Sequence, residues 1–291
     1  MSHSYLFFIL TLLIYHTFKF HEESKIINRK SLWIIAFFGG WATLIRPTDI
    51  LFLLFPLLYN IHDLKLFKQK FILLFKNKKV LFIAILLFIL PILPQLIYWK
   101  IQTGDFLYFS YGNEEGFFFS NPQILKFLFS FRNGLFPYTP LILLCCVGFY
   151  RLFKTQKAIA FPITAILIIN IYVLSSWWAW WYGGSFGNRS MVQYLPFFSI
   201  LLALIVETVI NRSMLKKLIF VLALGGSIYL NLYQSIQYKK GIIHWDGMNF
   251  NAYRFIFLKS KYTNEELKIL NSSFTKIDYR KAEKGDDQHK W

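Results

Sequence analysis

The stretch KNKKVLFIAILLFILPILPQLIYWK, residues 76–100, places three lysines ahead of twenty uncharged, mostly apolar residues and closes on a fourth lysine. Twenty residues of α-helix rise about 30 Å, the thickness of a bilayer's hydrocarbon core. The stretch therefore predicts a membrane-spanning helix over 80–99 with a basic flank. In hydrocarbon every backbone N–H and C=O needs an internal partner, so only helices and closed barrels cross it. The ten-residue alternation of a barrel strand is not found along the chain.

The pattern recurs. Apolar runs at 4–18, 31–44, 48–61, 80–99, 136–150, 158–176, 191–210 and 218–234 predict an all-α polytopic transmembrane protein of about eight membrane helices. Of the 291 residues, 56% are hydrophobic and 20% aromatic, where soluble domains are about 45–50% apolar.

A net charge of +17 raises the question of nucleic acid, and the placement of the charge answers it. Segment 19–30 holds four Lys/Arg, 62–79 six, 151–157 three and 211–217 three, whereas the other short connections hold only Arg46, Lys100, Lys126, Arg132 and Arg189. Alternate basic loops mark the cytoplasmic side of a membrane protein. The expected partner is the bilayer, with no nucleic acid. The boundaries that follow are a transmembrane domain over 1–234, with an external loop over 100–135, and an external C-terminal tail over 235–291. A short helix is expected within the tail at 264–270.

Keeping the basic loops on one side splits 31–61 into a hairpin of two short helices, with its turn at IRPTD, 45–49. Arg46 and Asp49 are three apart there, a spacing that lets them pair on one helical turn. Pro47 removes a backbone donor and biases Arg46 away from helix. Arg46 is thus either half of a structural ion pair or a guanidinium presented to a phosphate or carboxylate.

Two further segments sit on the same predicted outer side. Within 104–140, ILKFLFSF after Asn121-Pro122 predicts a short, largely apolar helix capped by the asparagine and lying in the headgroup region. The stretch WWAWWYGGSFGNRS, 177–190, concentrates tryptophan at the outer end of a span, as an aromatic belt does. A belt does not account for Tyr182, Gly183 and Gly184 followed by Arg189, since glycines permit positive φ and close approach of backbone to a ligand. Cys145 and Cys146 read as small hydrophobes, and the six scattered histidines give no metal spacing.

GGWATLIRPTD, then NPQILKFLFSFRNGLFPYTPLILL, then WWAWWYGGSFGNRSMVQYLPF, then KKGIIHWDGMNFNAYRF resembles the C-terminal part of GT-C-class polytopic membrane glycosyltransferases. The likeness is to bacterial proteins related to protein mannosyltransferases and aminoarabinose transferases, and covers nearly the whole chain. It implies transfer of a sugar from a polyprenyl-phosphate donor to an acceptor glycan, lipid or protein, at the outer face of a bacterial inner membrane.

On that resemblance, Arg46 and Arg189 contact the lipid phosphate or sugar, with Asp49 at the same turn. Trp180, Trp181 and Tyr182 stack on a sugar or the first isoprene units beside Gly183 and Gly184. No cofactor is implied, and the cation at the phosphate is either a divalent metal or an arginine. The external loop that carries the family's catalytic base has no counterpart here, so the chain is expected to continue a longer protein or to lack that base. Asp246 and Glu114–Glu115 are the external acids left. A transporter or flippase of a lipid-linked or anionic substrate, and a non-catalytic membrane scaffold, are the alternatives.

Overall fold

The computed structural model of the chain describes residues 2–22, 28–61, 63–109 and 115–285. Its elements are all helices, apart from one isolated antiparallel bridge between Phe117 and Trp177. Among the described residues three helices are long and apolar enough to cross a membrane: Lys157–Ser175, Arg189–Ile210 and Met214–Lys239. Lys78–Ile89 and Leu93–Thr103 make a fourth if this pair, bent by 51°, counts as one span. Three or four such helices replace the expected eight.

The reasons are local. His3–Glu22 is long enough, but His3, His16, His21 and Lys19 dilute its apolar surface. Arg29–Ile45 has 17 residues and Pro47–Leu58 is shorter still. The run at 136–150 breaks into Leu135–Tyr138, Pro140–Cys146 and Gly148–Thr155, because Pro140 can only open a helix and Thr139 before it is non-helical at φ −138°, ψ 66°. In the opening stretch, Pro94 has no N–H to donate and its ring crowds the carbonyl of Leu90, which bends the span between its two halves. The apolar window of Met214–Lys239 is wholly unburied, with Leu218, Ile219, Val221 and Leu222 all exposed. Such a surface suits hydrocarbon rather than water.

The chain divides into two compact units. The first contains Met1–Ser110, Phe149–Asn170 and Val192–Phe197. Asn28 opens its second helix by accepting from Ser31 N–H at 3.0 Å, and Arg46, extended at φ −148° before Pro47, closes it. A 3₁₀ helix, Pro47–Leu53, then turns back and runs into Leu54–Leu58. Glycine permits the return: a Cβ on Gly39 would lie 2.6 Å from Leu53 Cδ2. On Gly40 it would lie 2.1 Å from the Phe88 carbonyl oxygen, so this helix meets Lys78–Ile89 backbone to backbone.

The second unit contains Tyr111–Gly148, Ile171–Met191 and Phe198–Trp291. Residues from 242 onward pack around Tyr138 with Ile243, Met248, Ala252, Ile256 and Leu270, so the tail shares its core with the short helix Leu135–Tyr138. The tail helices carry their own caps: Asn249 accepts from Ala252 N–H, and Thr263 and Glu266 form a reciprocal capping box over Asn264–Ser273, which contains the helix expected at 264–270. The short helix expected after Asn121 is Ile124–Phe129, and its cap is Gln123 rather than the asparagine, because Asn121 Oδ1 instead accepts from Gln123 Nε2 at 3.0 Å.

Gly40→Ala should lower the thermal midpoint in detergent, by the equivalent of about 1–3 kcal/mol or more, as overpacking does. Gly226→Ala, where nothing lies within 4 Å of the added carbon, serves as the control and should be neutral or stabilising. Equal midpoints for the two variants would remove the close helix contact.

Candidate functional site

Arg46 and Asp49 share no hydrogen bond among the described residues, so the structural ion pair, one of the two readings their spacing allows, is not formed. The 3₁₀ turn bonds Asp49 N–H to the Arg46 carbonyl at 2.9 Å. It points the Asp49 side chain into the first unit, where it is 1% exposed. There Gln193 Nε2 reaches both carboxyl oxygens, at 3.0 and 3.3 Å, and Tyr194 Oη lies 3.2 Å from Oδ1. Arg46 is half-buried at the end of its helix, and its Nη1 is buried without a hydrogen-bond partner. A buried guanidinium N–H without a hydrogen-bond partner in the protein is costly. An oxyanion placed there would satisfy it with a charge-assisted bond.

The tryptophan and glycine segment belongs to the second unit. Its start is stitched to residues 116–119: Phe118 N–H donates to the Ser176 carbonyl at 2.6 Å and Trp178 N–H to the Gly116 carbonyl at 3.0 Å. Trp180 and Trp181 are 2% and 3% exposed. One face of the Trp181 ring is covered by the Arg132 guanidinium, 3.3 Å from the ring centre. With Trp177, Trp178 and Ser176 these residues wall a cavity of about 30 Å³, room for a group the size of one water. The Trp178 indole Nε1 is buried there without a partner.

The glycines after the tryptophans admit another part of the same chain. A Cβ on Gly183 would come within 2.6 Å of Asp246 Oδ1. Gly184, at φ +78°, donates its N–H to the Trp245 carbonyl at 3.2 Å. The close approach expected of a ligand is made by the HWDG turn, 244–247. Tyr182, at φ +46°, donates its hydroxyl to the Leu174 carbonyl at 3.2 Å. Arg189 opens the Arg189–Ile210 helix, and its half-buried side chain makes no hydrogen bond or ion pair among the described residues. Arg46 and Arg189 fall in different units.

Asp246 is the centre of the second cluster. Arg132 bonds it twice, Nε to the carbonyl at 3.0 Å and Nη2 to Oδ1 at 3.4 Å, with both side chains almost fully buried. The Tyr279 hydroxyl donates to the other carboxylate oxygen, Oδ2. Burial lowers the pKa of Arg132 to about 10 against the pull of Asp246, so the guanidinium stays charged at neutral pH. Burial and the Asp246 carboxylate push Tyr279 up to about 12, which keeps its donor proton in place. The turn itself is held by His244, whose Nδ1 accepts from the N–H groups of Asp246 at 3.1 Å and Gly247 at 2.7 Å. That pattern places the ring proton on Nε2.

In the sequence Arg132 and Asp246 stand only as external charges, with no spacing that joins them. HWDG was the available signal, whereas nothing about Tyr279 announces its role. Gln193 and Tyr194, a polar pair inside an apolar run, carried a usable one. Glu114 lies outside the described residues. Among the described residues no three His, Cys, Asp or Glu side chains gather as a metal site. No family model matches the chain, and comparison with curated proteins and with solved structures finds no match.

Gly183→Ala should expel the Asp246 carboxylate and loosen the tail, read as faster amide exchange over 242–256. Unchanged exchange would separate the glycine from the docking of the turn. A pH effect follows from His244, whose pKa burial lowers, opposed by Asp246. The folded state therefore resists the proton that the unfolded chain accepts at about pH 6.5. The stability His244 contributes is complete above that pH and is lost as pH falls toward the lowered value. Thermal midpoints of wild type should drop over this window, and those of His244→Asn, which keeps an acceptor and cannot titrate, should drop less.

Proposed function

We propose that the chain is a membrane glycosyltransferase-like protein that takes a sugar from a polyprenyl-phosphate donor to an acceptor at the outer face of a bacterial inner membrane. The observation that supports this is the Arg46 guanidinium, with a buried nitrogen lacking a partner while the neighbouring carboxyl is bonded elsewhere. Breaking the bond between a sugar and a lipid phosphate builds negative charge on the phosphate oxygens. A preorganised guanidinium stabilises that charge more than the ground state, which is the condition for accelerating the step. The apolar helices supply the environment in which the polyprenyl chain dissolves.

The residues that would bind are those of the Arg46 turn. The identity of the base that deprotonates the acceptor is not assigned to any residue of this chain. A flippase reading shares the phosphate contact and differs in lacking chemistry.

In proteoliposomes, Arg46→Ala should reduce sugar transfer from a polyprenyl-phosphate donor by roughly 100-fold or more, the usual cost of losing one charge-stabilising donor. Arg46→Lys should recover part of it, since a lysine restores the charge without the planar fork. Normal turnover in Arg46→Ala would sink the assignment. Loss of donor-lipid flipping with no transfer in wild type would move the chain to the flippase reading.

A further inference from the structure

We propose that Leu64–Lys76 is an amphipathic helix that docks on anionic phospholipid headgroups, at the Lys78 end of the bent helix pair. This surface is independent of the Arg46 turn and of sugar transfer.

The helix, LKLFKQKFILLFK, is two-sided in sequence. At about 100° per residue, Leu64, Phe67, Phe71, Leu74 and Phe75 fall on one side and Lys65, Gln69 and Lys76 on the opposite one, with Lys68 at the border. Asp63 opens it, its carboxylate accepting from the Leu66 N–H at 2.7 Å. The three phenylalanines line up at a spacing of four, with ring centres 4.7 and 6.4 Å apart. One lysine ties the helix to the rest of its unit: Lys70 Nζ donates to the carbonyls of Pro56 at 2.6 Å and Tyr59 at 3.1 Å, at the C-terminal end of Leu54–Leu58. The other edge is open. Leu64, Ile72 and Phe75 are 79%, 54% and 60% exposed, and Lys65, Lys68 and Lys76 are exposed as well.

The neighbouring helix identifies the occupant as lipid. Asn77 separates Leu64–Lys76 from Lys78–Ile89, on which Phe82, Ile85 and Leu86 are all exposed, a surface suited to acyl chains. Lys76, Lys78 and Lys79 stand at the end of that surface, where hydrocarbon gives way to headgroups. Residues 62–79 hold six lysines against one acid, Asp63, so the headgroups that complement them are negative. A lysine stem lies along apolar surface while its ammonium reaches a phosphate, so the same residues serve both parts of the interface. A zwitterionic leaflet takes up the apolar edge and leaves the lysines uncompensated, whereas an anionic one satisfies both. Nucleic acid would match the charge and offer nothing to Leu64, Ile72 and Phe75.

Amide hydrogen exchange of the whole chain tests this, in proteoliposomes of phosphatidylcholine alone and of phosphatidylcholine mixed with phosphatidylglycerol. Exchange over 64–76 should be slower in the anionic vesicles by about 10-fold or more, from roughly 5-fold per lysine engaged, and high salt should erase the difference. The triple variant Lys65→Gln, Lys68→Gln, Lys76→Gln, altered only at exposed positions, should lose the difference while exchange over 157–175 stays as in wild type. Equal exchange over 64–76 in the two vesicles would overturn the proposal. So would a triple variant that keeps the difference, since a change of surface pH alone slows both proteins alike. Equal slowing by inorganic phosphate in phosphatidylcholine vesicles would also overturn it, by making the lysines a site for free anions.

Discussion

In the second unit, one ion pair spans 114 positions of sequence and holds three segments together. Taking Arg132 and Asp246 out of water costs several kcal/mol per ion, and their attraction offsets this only when the remaining donors and acceptors are satisfied. Here they are. The second carboxylate oxygen takes the Tyr279 hydroxyl, and the guanidinium lies flat on Trp181. Arginine suits the place because its planar cation bonds in its edge and stacks on its face at once, which lysine cannot do. The tail packs around Tyr138 because the turn at 244–247 is anchored in this way.

That anchor explains the composition of the tryptophan segment. Four tryptophans in five residues give a stiff wall, two of them fully interior, against which a guanidinium can be desolvated without losing all favourable contact. The glycines follow because the carboxylate must pass close to backbone at Gly183, where any side chain would collide with it. Glycine announces that something comes near, and it does not say whether that something is a ligand or another stretch of the same chain.

The legible parts of this protein were those governed by local sequence. The all-helical class, the break at Arg46-Pro47 and the helix beginning near residue 264 follow from hydropathy, proline geometry and capping, each decided within a few residues. The number of candidate spans was not legible in the same way. An apolar run at 136–150 looks continuous by composition, yet the backbone at Thr139-Pro140 cannot continue a helix. The partners of Asp49 were hidden for a different reason. Spacing of three made Arg46 its natural partner, and the actual partners, Gln193 and Tyr194, come from more than 140 positions away. A rule about neighbours on one helix cannot see a competitor supplied by tertiary packing.

The two Arg–Asp sets of the chain show what decides between a structural charge and an available one. Arg132 has a carboxylate with no competing cation, a backbone carbonyl beside it and an aromatic floor, and its bonding capacity is used inside the protein. At the turn after residue 45, the carboxyl is drawn away by an amide and a phenol, and the arginine is left with a buried N–H unanswered. The first arrangement is closed and can serve only to hold segments together. The second is held open by neutral donors, which satisfy the acid without neutralising the base. Neutral hydrogen bonding to one member of a potential ion pair thus leaves bonding capacity of the other unspent, beside a core in which Phe52 and Phe55 are fully buried.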